Sequence, residues 1–234
     1  SSAASDVYKR QSFFNCLKNS AKQFYLRNKN GEYIMAGYPW YNVRARDELI
    51  ALPGCTLAID HRDDFELITQ TFIEALRRYI NDGTTDRTIH EIDLPDIPLW
   101  LLWTLQQYRA NQGNQRCREH YGDVIKALIE AIRQNRVPNL HLDDNGLLSS
   151  DGRNHPVTWL SASVNGKPII PRSGYILEFN ALWYNALRFT VCLFENVEEE
   201  KPYANKLRVL ADKTAQSFIS TFLNACLLYT SDAA

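Results

Sequence analysis

The chain has 234 residues, with 45% hydrophobic and 23% charged side chains, the balance of a soluble globular protein that can bury a sizeable core. Its 26 basic and 27 acidic residues leave a formal net charge of −1, so no global field draws it to nucleic acid or to an anionic membrane surface. No apolar run approaches the ~18–20 residues that cross a bilayer, and the first residues carry no signal-peptide pattern.

Cys16, Cys55, Cys117, Cys192 and Cys226 are scattered and contain no Cys-x-x-Cys pair. This argues against a disulfide framework or zinc site and for a reducing, cytoplasmic setting. The five histidines lack the spacing of metal ligands, so neither metal nor cofactor is expected. Residues 1–11 and 226–234 fit no capping or core pattern. They read as non-native ends of a truncated gene piece, leaving 12–225 as one partial domain; ordinary disordered tails are the alternative.

Helical periodicity dominates between those ends. Residues 47–57 bring Leu49, Ile50, Leu52 and Leu57 into register, with Pro53-Gly54 expected to end or kink the helix. Residues 64–80 carry one broad apolar stripe, stopped at Asn81-Asp82-Gly83. A third helix, 97–110, has Pro98 in its first turn, and a fourth, 121–136, has Val124, Ile125, Leu128, Ile129 and Ile132 on one side. Residues 175–193 are apolar nearly all round, as an inner helix would be, whereas 202–223 are amphipathic and suit an outer one.

The helical pattern lapses between residues 137 and 174. Asp144-Asn145-Gly146 and Asn165-Gly166 are turn signals, so an ordered excursion containing small hairpins is expected there. Six helices alternating between greasy and amphipathic predict an all-α fold. The architecture proposed from them is a partial (α/α)6 toroid, with a helical bundle as the alternative.

Three stretches carry chemistry. The first, residues 36–54, sets Tyr38, Trp40 and Tyr41 around Pro39 and follows them with Arg46-Asp47. Sugars need both kinds of group: hydroxyl pairs take charge-assisted hydrogen bonds, and their C–H faces take aromatic surface. An aromatic loop packed on a core, with Asp47 as a helix N-terminal acid, accounts for the same residues. The second stretch runs from Pro156 through Trp159 and Ser161 to Gly174. The third sets Glu178, Asn180, Trp183, Tyr184 and Asn185 in an apolar helix, with Arg172 as the partner that a buried Glu178 would need. A structural Arg172–Glu178 pair and a substrate clamp are equally open.

Taken in order, Gly37-Tyr38-Pro39-Trp40, Arg46-Asp47, Ala51-Leu52-Pro53-Gly54 and Asp96-Ile97-Pro98-Leu99-Trp100 resemble motifs of one family. Thr158-Trp159-Leu160-Ser161-Ala162, Pro171-Arg172-Ser173-Gly174 and Glu178-Phe179-Asn180-Ala181-Leu182-Trp183-Tyr184-Asn185-Ala186-Leu187 continue the pattern. The family is the amylo-α-1,6-glucosidase domain of bacterial glycogen debranching enzymes, and the likeness spans about residues 31–224. It implies a toroid of which this chain holds the first half, acting on an α-glucan such as glycogen.

The resemblance further implies inverting hydrolysis of α-1,6-linked glucose stubs. One carboxylic acid protonates the leaving oxygen and one carboxylate activates water, ~6.5–9.5 Å apart. It puts Arg46 and Asp47 on the innermost glucose, walled by Trp40 and Trp159, and adds Tyr38, Asp96, Trp100, Arg172, Glu178 and Trp183 as substrate contacts. Arg44 stands where many relatives have Trp. Ser161 occupies the place of the family's acid Asp, and a hydroxyl is too weak an acid for that role. Glu178 is the first substitute, ahead of Asp143, Asp144 and Asp151. The family's later Glu motif does not occur before Asn224, so this piece alone is expected to be inactive. A carbohydrate-binding relative without turnover is the runner-up, and a helical interaction scaffold is the third reading.

Overall fold

A computed structural model describes the backbone of residues 2–37 and 41–223, and side chains from residue 12 onward within those ranges. It is mostly helical (60%), in agreement with the all-α class, and divides into two compact units, residues 1–92 and 93–234.

In the first unit, α1 (Ser2–Lys22) leads into an antiparallel hairpin, β1 (Tyr25–Asn28) with β2 (Gly31–Ile34). The helix was not expected: Phe13, Phe14 and Leu17 are largely exposed, so no apolar stripe announces it. A short β3 (Val43–Arg44) runs parallel to β4 (Ile89–His90) and delivers the chain into α2 (Ala45–Cys55). That helix continues through Pro53 rather than ending there. The proline falls in the last turn, so the backbone bond it cannot donate is lost near the helix end, and the Thr56 hydroxyl donates to the Leu52 carbonyl at 2.5 Å.

The stripe predicted for residues 64–80 forms α3 (Arg62–Asp82), burying Phe65, Ile68, Phe72, Ile73 and Leu76. Each contributes about 1.5–3 kcal/mol on burial. Gly83 (φ 76°) ends α3 in the left-handed conformation, its N–H donating to the Tyr79 carbonyl.

The second unit contains α4 (Ile97–Gln112), α5 (Asn114–Arg133), α6 (Leu177–Phe194) and α7 (Lys201–Phe222). α5 begins seven residues before the first residue expected for it. Gly113 (φ 87°) separates it from α4, and only Cys117 among its first seven residues is buried, so this polar start hides the period. α6 buries a wide face and leaves one stripe exposed, Leu177, Ala181, Tyr184 and Arg188, so it is less enclosed than its composition suggested; α7 buries only Ala204, Leu207, Ala211 and Thr214. Two pairs of helices, α4 with α5 and α6 with α7, pack as neighbours, and α6 also packs on α4.

The excursion between α5 and α6 contains the expected hairpins. β5 (His141–Leu142), β6 (Leu148–Ser150) and β9 (Gly174–Tyr175) form a three-stranded antiparallel sheet. β7 (Ser163–Val164) and β8 (Lys167–Pro168) form a second hairpin. Its two loop residues, Asn165 and Gly166, both have positive φ, the geometry that lets a two-residue loop follow strand twist. The Asn145-Gly146 turn is fastened to α7: Thr214 Oγ1 donates to the Gly146 carbonyl (2.8 Å) and Ser217 Oγ to that of Asn145 (2.6 Å).

Candidate functional site

In the first unit, the start of α2 concentrates charge. Arg46 is buried, Asp47 is about half exposed, and Arg44 lies 3.8 Å from Asp47. Arg44 also reaches Glu91 with two guanidinium nitrogens. Nothing in the sequence marked Glu91 as that partner, because the contact depends on β3 running beside β4. Tyr38 and Trp40 lie outside the described residues.

One residue of this helix was missed. Glu48 shares the i, i+3/i+4 face of Ala45, Leu49 and Leu52, and is fully buried. Oε1 accepts the Ile34 N–H at 2.8 Å, while Oε2 has no hydrogen-bond partner. Burial pushes its pKa up to about 8, with the charge of Asp86 adding to the effect. The signal was present as a carboxyl on an apolar stripe. The carboxyl ties α2 to β2 directly behind Arg46 and Asp47.

In the second unit, Asp96 is buried at the start of α4, and its carboxylate accepts the indole N–H of Trp100 at 3.1 Å. Trp100 in turn meets Trp103 edge-on, with centroids 5.7 Å apart. The motif in α6 divides sharply. Asn180 is buried: its Oδ1 accepts the Leu148 N–H (2.7 Å), and its Nδ2 donates to the carbonyls of Leu148 (2.9 Å) and Ile176 (3.0 Å). Asn185 forms a reciprocal amide pair with Gln106 of α4. Trp183 is buried in the core, with no hydrogen-bond partner for Nε1 and no face open to solvent.

Glu178 is part-exposed rather than buried, because it lies in the first turn of α6. Arg172 is the partner expected from the sequence, and the pairing is bidentate: both Glu178 oxygens accept from it, through Nη1 and Nη2. Donation of a proton to a leaving oxygen requires that pair to open. Trp159 is 66% exposed on the excursion, with Ser161 exposed two residues on.

The three weaker carboxyl candidates differ in surroundings. Asp151 accepts two guanidinium hydrogen bonds from Arg153, which hold its carboxyl well below the usual range. In this pairing it acts as a hydrogen-bond acceptor, as Glu178 does with Arg172. Asp143 lies 3.3 Å from His141 Nε2, and Asp144 is exposed at the turn. Among the described residues no group of three or more His, Cys, Asp and Glu is arranged to hold a metal ion, and no helix is long and apolar enough to cross a membrane.

A family model described as amylo-alpha-1,6-glucosidase matches residues 13–234. No curated protein and no solved structure matches the chain.

Proposed function

Because the chain belongs to the amylo-alpha-1,6-glucosidase family, a glycogen debranching-type domain, we propose that its protein hydrolyses α-1,6-linked glucose stubs in α-glucans. The family match over residues 13–234 carries this reading. In it, Arg46 and Asp47 bind glucose hydroxyls and the exposed Trp159 ring stacks on a sugar face. Trp100, set by Asp96, serves as a second apolar surface, while the Arg172–Glu178 pair clamps substrate. The helices form part of a toroid of helix pairs, and the protein works in the cytoplasm.

The chemistry is inversion, with water activated by one carboxylate while a carboxylic acid protonates the leaving oxygen. Ser161 stands where that acid is expected. We assign the acid role to Glu178, released from Arg172 when substrate hydroxyls take over the guanidinium. The test is glucose release from a branched limit dextrin by the intact protein. Glu178→Gln is expected to lower kcat by 100-fold or more, in line with loss of a general acid. A folded protein that releases no glucose contradicts the reading.

Ser161 favours one second reading, a carbohydrate-binding relative without turnover. It predicts maltooligosaccharide binding that Asp47→Ala abolishes, no hydrolysis, and activity gained in Ser161→Asp.

A further inference from the structure

Within the second unit a cavity of about 660 Å³ opens between the end of α5 and the β5–β6–β9 sheet. That volume falls within the ~300–1,000 Å³ of small-ligand sites. Asn135, Pro138, His141, Ser149, Asp151 and Arg153 line it, and Ser173 and Gly174 of the Pro171–Gly174 motif close one side.

Three observations describe what it would hold. Asp151 and Arg153 pair with each other, so the wall carries no net charge from them; an anion would find Arg153 already neutralised, and a cation would find the same of Asp151. Polar capacity nevertheless remains. Arg153 uses Nε and Nη2 on Asp151, Asn135 uses its Oδ1 on the Leu142 N–H, and the Asn135 Nδ2 and Arg153 Nη1 donors have no partner among the described residues. A carboxylate beside free guanidinium and amide donors is a set that vicinal hydroxyls satisfy, with Pro138 giving an apolar edge for C–H contact.

The wall is also rigid, as a preorganised site requires. The Asn139 side chain bonds both the N–H (2.8 Å) and the carbonyl (2.9 Å) of Asp151. Ser173 Oγ accepts the Gly152 N–H at 2.9 Å, and a Cβ at Gly152 would lie 2.2 Å from the Arg172 carbonyl oxygen. The Asp151–Arg153 pair is thus fastened to the Arg172–Ser173 segment that leads into β9.

We infer that this cavity is a further α-glucan subsite, binding glucose units of the same polymer that flank the scissile stub. The inference rests on the α-glucan reading and deepens it.

The experiment is calorimetric titration of the full chain with maltoheptaose, alongside hydrogen exchange of the complex. Arg153→Ala, whose side chain is exposed, is expected to weaken binding about tenfold, the equivalent of one charge-assisted hydrogen bond, without changing the melting temperature. Ser149→Trp, which fills the cavity, is expected to weaken it as much or more. Maltoheptaose is expected to protect amides 139–142 and 149–153 from exchange. Binding that Trp159→Ala weakens but Arg153→Ala and Ser149→Trp leave unchanged overturns the subsite and keeps the α-glucan reading. Displacement of maltoheptaose by inorganic phosphate overturns the neutral-polyol assignment. No maltoheptaose binding by the unaltered chain overturns both.

Discussion

α6 and the excursion that precedes it are both rich in polar and aromatic residues, and they use them in opposite ways. In α6 three of the conspicuous groups turn inward, while Glu178 and Tyr184 do not: Asn180 fastens the helix to β6, Asn185 fastens it to α4, and Trp183 fills the core. In the excursion Trp159 faces solvent, and the Asp151–Arg153 pair lines a cavity. A motif is therefore no guide by itself to which residues meet a ligand. A buried polar group such as Asn180, with its amide bonded on both sides, holds architecture, whereas exposed rings and half-satisfied charge pairs are available for binding. The neighbours Asp47 and Glu48 repeat the contrast over one residue, with Asp47 outside and Glu48 inside.

The largest effect expected from breaking this division is at Asn180. Asn180→Ala strands the Leu148 N–H and carbonyl and opens a cavity, a loss of about 3–5 kcal/mol readable by denaturant unfolding. A loss under about 1 kcal/mol would mean the residue is not architectural.

At Glu48 the expectation concerns pH. The folded carboxyl stays protonated up to about 8, while the unfolded one ionises near 4.5. Its contribution is therefore complete below about pH 4.5 and is lost as pH rises through about 8. Stability should fall by up to about 5 kcal/mol over that window in thermal or denaturant melts. Glu48→Gln keeps the acceptor for Ile34 and should flatten the profile. An unchanged slope in that variant would assign the pH dependence elsewhere.

Gly152→Ala tests the link between the cavity wall and the Arg172–Ser173 segment before β9. The added methyl meets backbone that cannot yield cheaply, and about 1–3 kcal/mol of stability should go with it. Trp159→Ala should change stability by no more than about 0.5 kcal/mol yet weaken maltoheptaose binding about tenfold, a split that calorimetry and melting together resolve. Equal losses in both would place Trp159 with the α6 residues.

The helices from α2 to α7 were legible because their apolar stripes are long, and the hairpins because Asn165-Gly166 and Asn145-Gly146 have the chemistry such turns need. α1 was not, since its apolar side chains stay largely exposed, nor were the first turns of α5, which carry polar residues apart from Cys117. The Arg172–Glu178 pair could be read from its spacing, but its exposure could not: that depends on Glu178 falling in the first turn of α6. Glu48 could have been found from its position on the α2 stripe. The Asp151–Arg153 cavity could not, because it exists only once β5, β6 and β9 come together.

The most direct test of the functional account is proton NMR of the first glucose released from a branched limit dextrin by the intact protein. Inversion at an α-1,6 linkage predicts that β-glucose appears first and then mutarotates. α-Glucose appearing first, or no glucose from a folded protein, would contradict it.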